Sequence, residues 1–175
     1  MLRMNRQLVS AGLTLTLLTS LAVSGFAQKG AEFSLRSLDG QTVGSSALRG
    51  KAVVLAFGAS WLPLSRNQLQ GLKKLNDNYA GRDVVIYWVS TESENPKSKN
   101  YASDEQLRTF AQKYAPGVKV LRDPEGAASR KLGADQLPSI LILDKQGNLA
   151  GEPIRGYDPE ANLSDQVGKQ VDKIL

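Results

Sequence analysis

Ala56-Phe57-Gly58-Ala59-Ser60-Trp61-Leu62-Pro63-Leu64-Ser65-Arg66 joins two unlike patterns. Upstream, Lys51 introduces the apolar run Ala52-Val53-Val54-Leu55-Ala56-Phe57, the composition of a strand buried on both faces. Downstream, Pro63 stands at the start of a helix, where a missing N–H costs nothing. Leu69, Leu72 and Leu75 then fall on one stripe, and the spacing predicts a helix to Ala80. A buried strand therefore runs through a short loop carrying Trp61 into a helix.

Outward from this unit, strands and helices alternate. Phe33-Ser34-Leu35-Arg36 alternates, Asp39-Gly40 turns, and Gln41 to Val43 returns, which reads as a hairpin. Asp83 to Ser90 is a second buried strand, and Glu92 to Asn100 is a polar loop. Ser103-Asp104-Glu105-Gln106 has the spacing of a capping box, followed by the apolar helix face Leu107, Phe110, Ala111 and Tyr114. Val118 to Leu121 predicts a short strand, and Glu125 to Leu132 a short helix. Ser139 to Leu143 predicts another strand, with the turn Asp144-Lys145-Gln146-Gly147 leading into a last strand at Asn148 to Glu152. Asp158-Pro159 is expected to cap a final helix with the stripe Leu163, Val167, Val171 and Ile174. The alternation predicts one α/β layered domain over residues 28–175.

Composition excludes whole classes of chemistry. The chain has 175 residues, no cysteine and no histidine. It offers no thiolate nucleophile, disulfide, iron–sulfur cluster or thiolate zinc site. It has no imidazole base and no haem imidazole. No calcium-loop spacing is present, and neither a cofactor nor a metal is expected. The net charge of +5 comes from 22 basic and 17 acidic residues, with no basic run interleaved with aromatics, which argues against a nucleic-acid partner.

Met1 to Arg6 is basic, Leu8 to Val23 is mostly apolar, and Gly25-Phe26-Ala27 supplies small residues at a cleavage site. Residues 1–27 thus read as a signal peptide with the exported chain starting at Gln28. The alternative is an uncleaved N-terminal anchor over Leu8 to Ala27, the only way this reading brings the protein to a membrane. Both place the folded part outside the cytoplasm, periplasmic or secreted in the first case and membrane-anchored in the second.

The Trp61 segment resembles the thioredoxin-like superfamily, in particular extracytoplasmic thiol–disulfide oxidoreductases of the TlpA/ResA type, which are redoxin or AhpC-TSA-like. Members read F-W-A-S-W-C-P-P-C-R at this point. Leu38-Asp39-Gly40-Gln41-Thr42-Val43 resembles the family's entry hairpin, and Leu48-Arg49-Gly50-Lys51 its lead-in to the first core strand. Gln136-Leu137-Pro138-Ser139-Ile140-Leu141-Ile142-Leu143-Asp144 with Gly147 resembles its proline-containing strand and following turn. The resemblance runs from Phe33 to the C-terminal helix. It implies a thioredoxin-like fold: a central mixed β-sheet flanked by helices, with an N-terminal β-hairpin extension.

Carried over residue by residue, the resemblance removes the chemistry. The first family cysteine falls on Leu62 and the second on Ser65. Leucine has no nucleophilic atom, and a serine hydroxyl is too hard and too weakly acidic to attack a disulfide sulfur. The acidic residue that the family often places three positions later is Gln68, and the helix-bending proline two further on is Gln70. Peroxidase relatives need a cysteine too. A family label would read thiol–disulfide oxidoreductase; no residue here carries that activity, so there is no catalytic residue to assign.

The resemblance also implies that Pro138 follows a cis bond and that Leu137 offers its backbone to an extended peptide by strand addition. The expected function is a redox-inactive module binding an extracytoplasmic protein or peptide in a groove of Trp61, Leu62, Pro63, Leu64, Ser65, Leu137 and Pro138. The plainer reading leaves Pro138 as scaffold and Trp61 as a packed aromatic. The alternative function is a structural or assembly module using another surface, for example the Glu92 to Asn100 loop. An enzyme of unrelated chemistry would need a clustered carboxylate pocket. Asp104-Glu105 and Asp123/Glu125 read instead as helix N-terminal charges, Lys73-Lys74 as a solvated face, Gly126 to Gly133 as punctuation, and Ser60 and Ser65 as hydroxyls without a base.

Overall fold

A computed structural model describes residues 30–156, 158 and 162–175. The expected leader and Pro159 lie outside them. The hairpin forms as read: β1 (Ser34–Ser37) and β2 (Thr42–Gly44) pair antiparallel, and a 3-10 turn (Ser45–Leu48) leads on. Then come β3 (Ala52–Gly58), α1 (Pro63–Asn78), β4 (Val84–Ser90), α2 (Asp104–Tyr114), β5 (Lys119–Arg122), α3 (Ala127–Lys131), β6 (Ser139–Leu143), β7 (Ile154–Arg155) and α4 (Leu163–Val171).

The seven strands form one mixed sheet in the order β2-β1-β5-β4-β3-β6-β7. β3, β4 and β5 run parallel; β6 is antiparallel to β3, and β1 to β5. All seven residues of β3 are buried because the strand is central and covered on both faces. Alternate residues divide between two cores. Ala52, Val54 and Ala56 face α1, α2 and α4 with Leu72, Leu107 and Val167. Val53, Leu55 and Phe57 face the layer of Phe33, Leu132 and Leu141. Helices thus cover both faces, as the alternation of elements requires.

The β3–β6 register positions the loop of interest. Phe57 pairs with Ser139, so the end of β3 lies beside the Leu137–Pro138 bond, which is cis as the resemblance implies.

Two expectations are corrected. The predicted last strand at Asn148 to Glu152 is reduced to a single bridge, Leu143 to Leu149, before Gly151 turns the backbone to φ +111°. Pairing resumes in β7, where Ser139 faces Arg155. The final helix starts at Leu163 with Asn162 as its N-cap, not at Asp158. Its buried apolar stripe is Leu163, Val167 and Val171.

Candidate functional site

The loop from Ala59 to Leu62 is held by hydrogen bonds from both sides. The Leu62 N–H donates to Ala59 O at 3.0 Å, and the Ser65 N–H to Leu62 O at 3.0 Å, so the turn closes onto the first residues of α1. Leu62 is the N-cap of α1 and offers no side-chain acceptor; Pro63 occupies the position that tolerates it.

The side chains divide sharply in exposure. Trp61 is 61% exposed, Pro63 is exposed, and Leu62 and Leu64 are half-buried. Ser65, expected in the groove, is fully buried, and its Oγ accepts the Ala59 N–H at 3.2 Å. The groove therefore loses Ser65. Pro138 is buried and Leu137 half-buried. Pro138 O accepts the Gly156 N–H, whereas Leu137 N–H and C=O have no partner among the described residues.

Trp61 does not hang free. Its Nε1 donates to Asn100 Oδ1 at 2.6 Å, and Asn100 Nδ2 donates to Thr91 O at 3.3 Å. The polar loop after β4 is itself closed: Ser93 N–H donates to Asn100 O and Ala102 N–H to Ser93 O. Glu92 lies beneath the Trp61 loop at 2% exposure. Its Oε2 accepts the Ser60 N–H at 2.9 Å and the Ser90 hydroxyl at 3.1 Å; its Oε1 accepts the Ser60 hydroxyl at 2.7 Å. Ser60 thus has a carboxylate partner, which corrects the expectation that it has none. A carboxylate is too weak a base to ionise a serine hydroxyl, so the pair is a clamp on the loop rather than an activated nucleophile.

The position of the family's acidic residue is equally structural. Gln68 is 1% exposed. Its Nε2 donates to Phe57 O and Ser139 O, both at 3.3 Å, and its Oε1 accepts from Trp88 Nε1 at 3.2 Å. One amide ties α1 to β3, β4 and β6. Gly58 makes this possible: a Cβ there would stand 2.8 Å from Ser65 Oγ, 2.9 Å from Gln68 Oε1 and 2.9 Å from Trp88 Nε1.

The carboxylates read as helix charges hold elements together. Asp104, in the first turn of α2, receives Arg36 Nη1 at 2.9 Å and Arg122 Nη1 at 2.7 Å. The Arg36 hydrogen bond, against the opposing effect of burial and helped by Arg122, holds the Asp104 carboxyl below its usual range. Arg122 is buried and also donates to the backbone of Glu92 and Ser93, which anchors the loop that carries Asn100. Asp123 accepts from the N–H groups of Ala128 and Ser129 and so caps α3 from outside it. Lys73 pairs with Asp77 one turn on.

Sequence reasoning found Trp61, Pro63, Leu137 and Pro138 by their place in a motif. It missed Glu92, Asn100 and Arg122, whose partners are brought to them only by the folded sheet.

A central β3–α1–β4 unit, an antiparallel β6 entered through a cis proline, and a tryptophan loop at the head of α1 define the thioredoxin-like class. Residues 26–151 match the AhpC/TSA family, and the chain belongs to that family. It is 29% identical over 120 residues to the thioredoxin-like protein YneN of Bacillus subtilis, covering 69% of this chain and 66% of YneN. It is 22% identical over 137 residues to the thiol-disulfide oxidoreductase ResA of Bacillus thuringiensis, covering 78% of this chain and 73% of ResA. Among solved structures, the exposed lipoprotein thioredoxin Etrx1 of Streptococcus pneumoniae superposes with a TM-score of 0.64 at 26% identity, covering 81% of this chain and 98% of that one. The chain spans slightly less than two thirds of YneN and only 34% of a longer relative that it also matches. It is thus a thioredoxin-like member of an oxidoreductase family in which both sulfur positions are filled by other residues, Leu62 and Ser65.

Proposed function

We propose that the protein is an exported, redox-inactive member of its family that binds an extended segment of another protein non-covalently. The binding face comprises Trp61, Leu62, Pro63, Leu64, Leu137 and Pro138. One observation carries this reading: the loop head shows solvent a fixed indole and two half-buried leucines, while the one polar replacement, Ser65, is turned inward. An ordered aromatic at 61% exposure is a preformed contact and loses little freedom on binding. The Leu137 backbone, unpaired among the described residues, supports strand addition beside it. Export is supported by the leader in the sequence and by relatives such as the pneumococcal exposed lipoprotein.

The test is a cross-linking pull-down from extracytoplasmic extract, wild type against Trp61→Ala, with an insulin-reduction assay alongside. The expected result is a partner lost in the variant and no reduction above the blank. A partner retained by Trp61→Ala places the contact elsewhere, and turnover above the blank overturns redox inactivity. The second reading, an assembly surface on the polar loop, is favoured by that loop's ordered closure at Ser93 and Asn100. Deleting the loop does not separate the two readings, because the deletion removes the Asn100 bond to Trp61. Substituting the exposed loop residues Lys97 and Lys99 leaves that bond in place and does separate them.

A further inference from the structure

Two large apolar side chains are exposed among the described residues, Trp61 at 61% and Tyr101 at 36%. The Trp61 indole bonds to Asn100, the chain neighbour of Tyr101. Ser60, on the other side of Trp61, lines a cleft of about 410 Å³ between α1 and α2. Phe110 and Tyr114 line it too, their rings edge to face at 5.1 Å. Arg66 and Lys113 line it as well, with Glu105, Gln106 and Thr109.

The cations give the cleft its chemistry. Arg66 Cζ lies 6.0 Å and Lys113 Nζ 5.3 Å from the centre of the same Tyr114 ring. Both side chains belong to exposed residues, and neither has a carboxylate within ion-pair distance among the described residues. Glu105, in the same lining, is already paired with Arg108 at 2.9 Å. Two like charges converge on one aromatic ring with no carboxylate paired to either among the described residues, and an anion beside them relieves their repulsion.

We infer that this cleft receives an acidic segment of the partner protein. A carboxylate of the segment sits by Arg66 and Lys113, and an apolar side chain packs on Phe110 and Tyr114, with the chain continuing past Ser60 toward Trp61. The inference rests on the proposed binding function and names the chemistry of its partner. Two cations beside a carboxylate are too few to track a phosphate backbone, whereas they suit a short acidic peptide. Without Arg3 and Arg6 of the expected leader the exported chain still carries a net positive charge, which steers such a partner toward the protein.

The experiment uses isothermal titration of the whole protein with two synthetic peptides. One carries Leu-Phe flanked by two acidic residues on each side; the other has the same core flanked by the corresponding amides. Three proteins are compared: wild type, Trp61→Ala, and the double variant Arg66→Gln with Lys113→Gln. Unchanged thermal midpoints confirm that each variant folds. The expected result is binding of the acidic peptide to the wild type, weakened about tenfold by the double variant and by added salt, with the amide peptide binding at least as weakly as the double variant does. Equal binding of both peptides, lost in Trp61→Ala, overturns the acidic preference while leaving the binding face standing. Binding unaffected by the double variant overturns the cleft as the site. Binding of neither peptide overturns the acidic-segment inference, and the pull-down then decides the broader function separately.

Discussion

Gln68 shows how a position with a chemical role elsewhere becomes a structural one. Its amide donates to two carbonyls and accepts one indole N–H, an assignment that only an amide satisfies in full. A glutamate would keep the Trp88 bond and turn an acceptor toward the Phe57 and Ser139 carbonyls. Gln68→Glu is therefore expected to lower stability by about 1–3 kcal/mol at neutral pH. The loss should shrink on acidification, because burial among acceptors raises the new carboxyl's pKa and protonation restores one donor. Urea unfolding of wild type and variant at about pH 7 and about pH 5 checks this. A constant difference would mean that the side chain swings out to water. None of these bonds is legible in the sequence. The sequence does show that residue 68 departs from the family's acid, but Phe57 and Ser139 are 11 and 71 residues away, and no periodicity encodes such a meeting.

At the scale of elements, legibility follows burial. The apolar runs of β3, β4 and β6 and the leucine stripe of α1 are visible because each element's whole environment is apolar. The capping box of α2 is visible because it is local: Ser103 Oγ accepts the Gln106 N–H and Gln106 Oε1 accepts the Ser103 N–H. The two-residue β7 and the start of α4 are not, because both depend on what the sheet edge and α1 offer them. The α1–α4 contact turns on a glycine. A Cβ on Gly71 would stand 2.6 Å from Leu163 Cδ2 and 2.7 Å from Leu163 Cβ. Alanine improves helix propensity by about 1 kcal/mol, but here it overpacks against the root of a side chain, at about 1–3 kcal/mol. Gly71→Ala is expected to be net destabilising, with a lower urea midpoint and an unchanged m-value. A higher midpoint would show that the two helices part at little cost.

Across the whole molecule, the C-terminal helix is fastened by a phenol. Tyr79, just past α1, is buried; its hydroxyl lies 2.8 Å from Asp172 Oδ1 and 3.1 Å from Gly168 O. Burial, then the hydrogen bond and charge of Asp172, push its pKa up to about 12, against an opposing effect of Arg82. The folded state thus favours the neutral phenol more than the unfolded chain does. Its contribution is complete below the unfolded pKa of about 10 and is lost as the pH rises toward the folded value. Wild type should lose stability between about pH 10 and about pH 12, and Tyr79→Phe should flatten that stretch of the pH–stability curve. Equal slopes in the two proteins would assign the alkaline loss to other groups. The acid limb belongs to the other end of the fold, where Asp104 joins Arg36 of the hairpin to Arg122 of β5. The family's scaffold is thus held by charges and amides that need no sulfur.

The hydrogen bond from Trp61 to Asn100 has an optical consequence. The chain holds two tryptophans, and Trp88 is fully buried beneath Gln68 while Trp61 faces water. One indole registers the integrity of the interior; the other registers what stands at the loop. Their emission separates by colour and by access to a dissolved quencher, so unfolding and occupancy can be followed in one sample with no added dye.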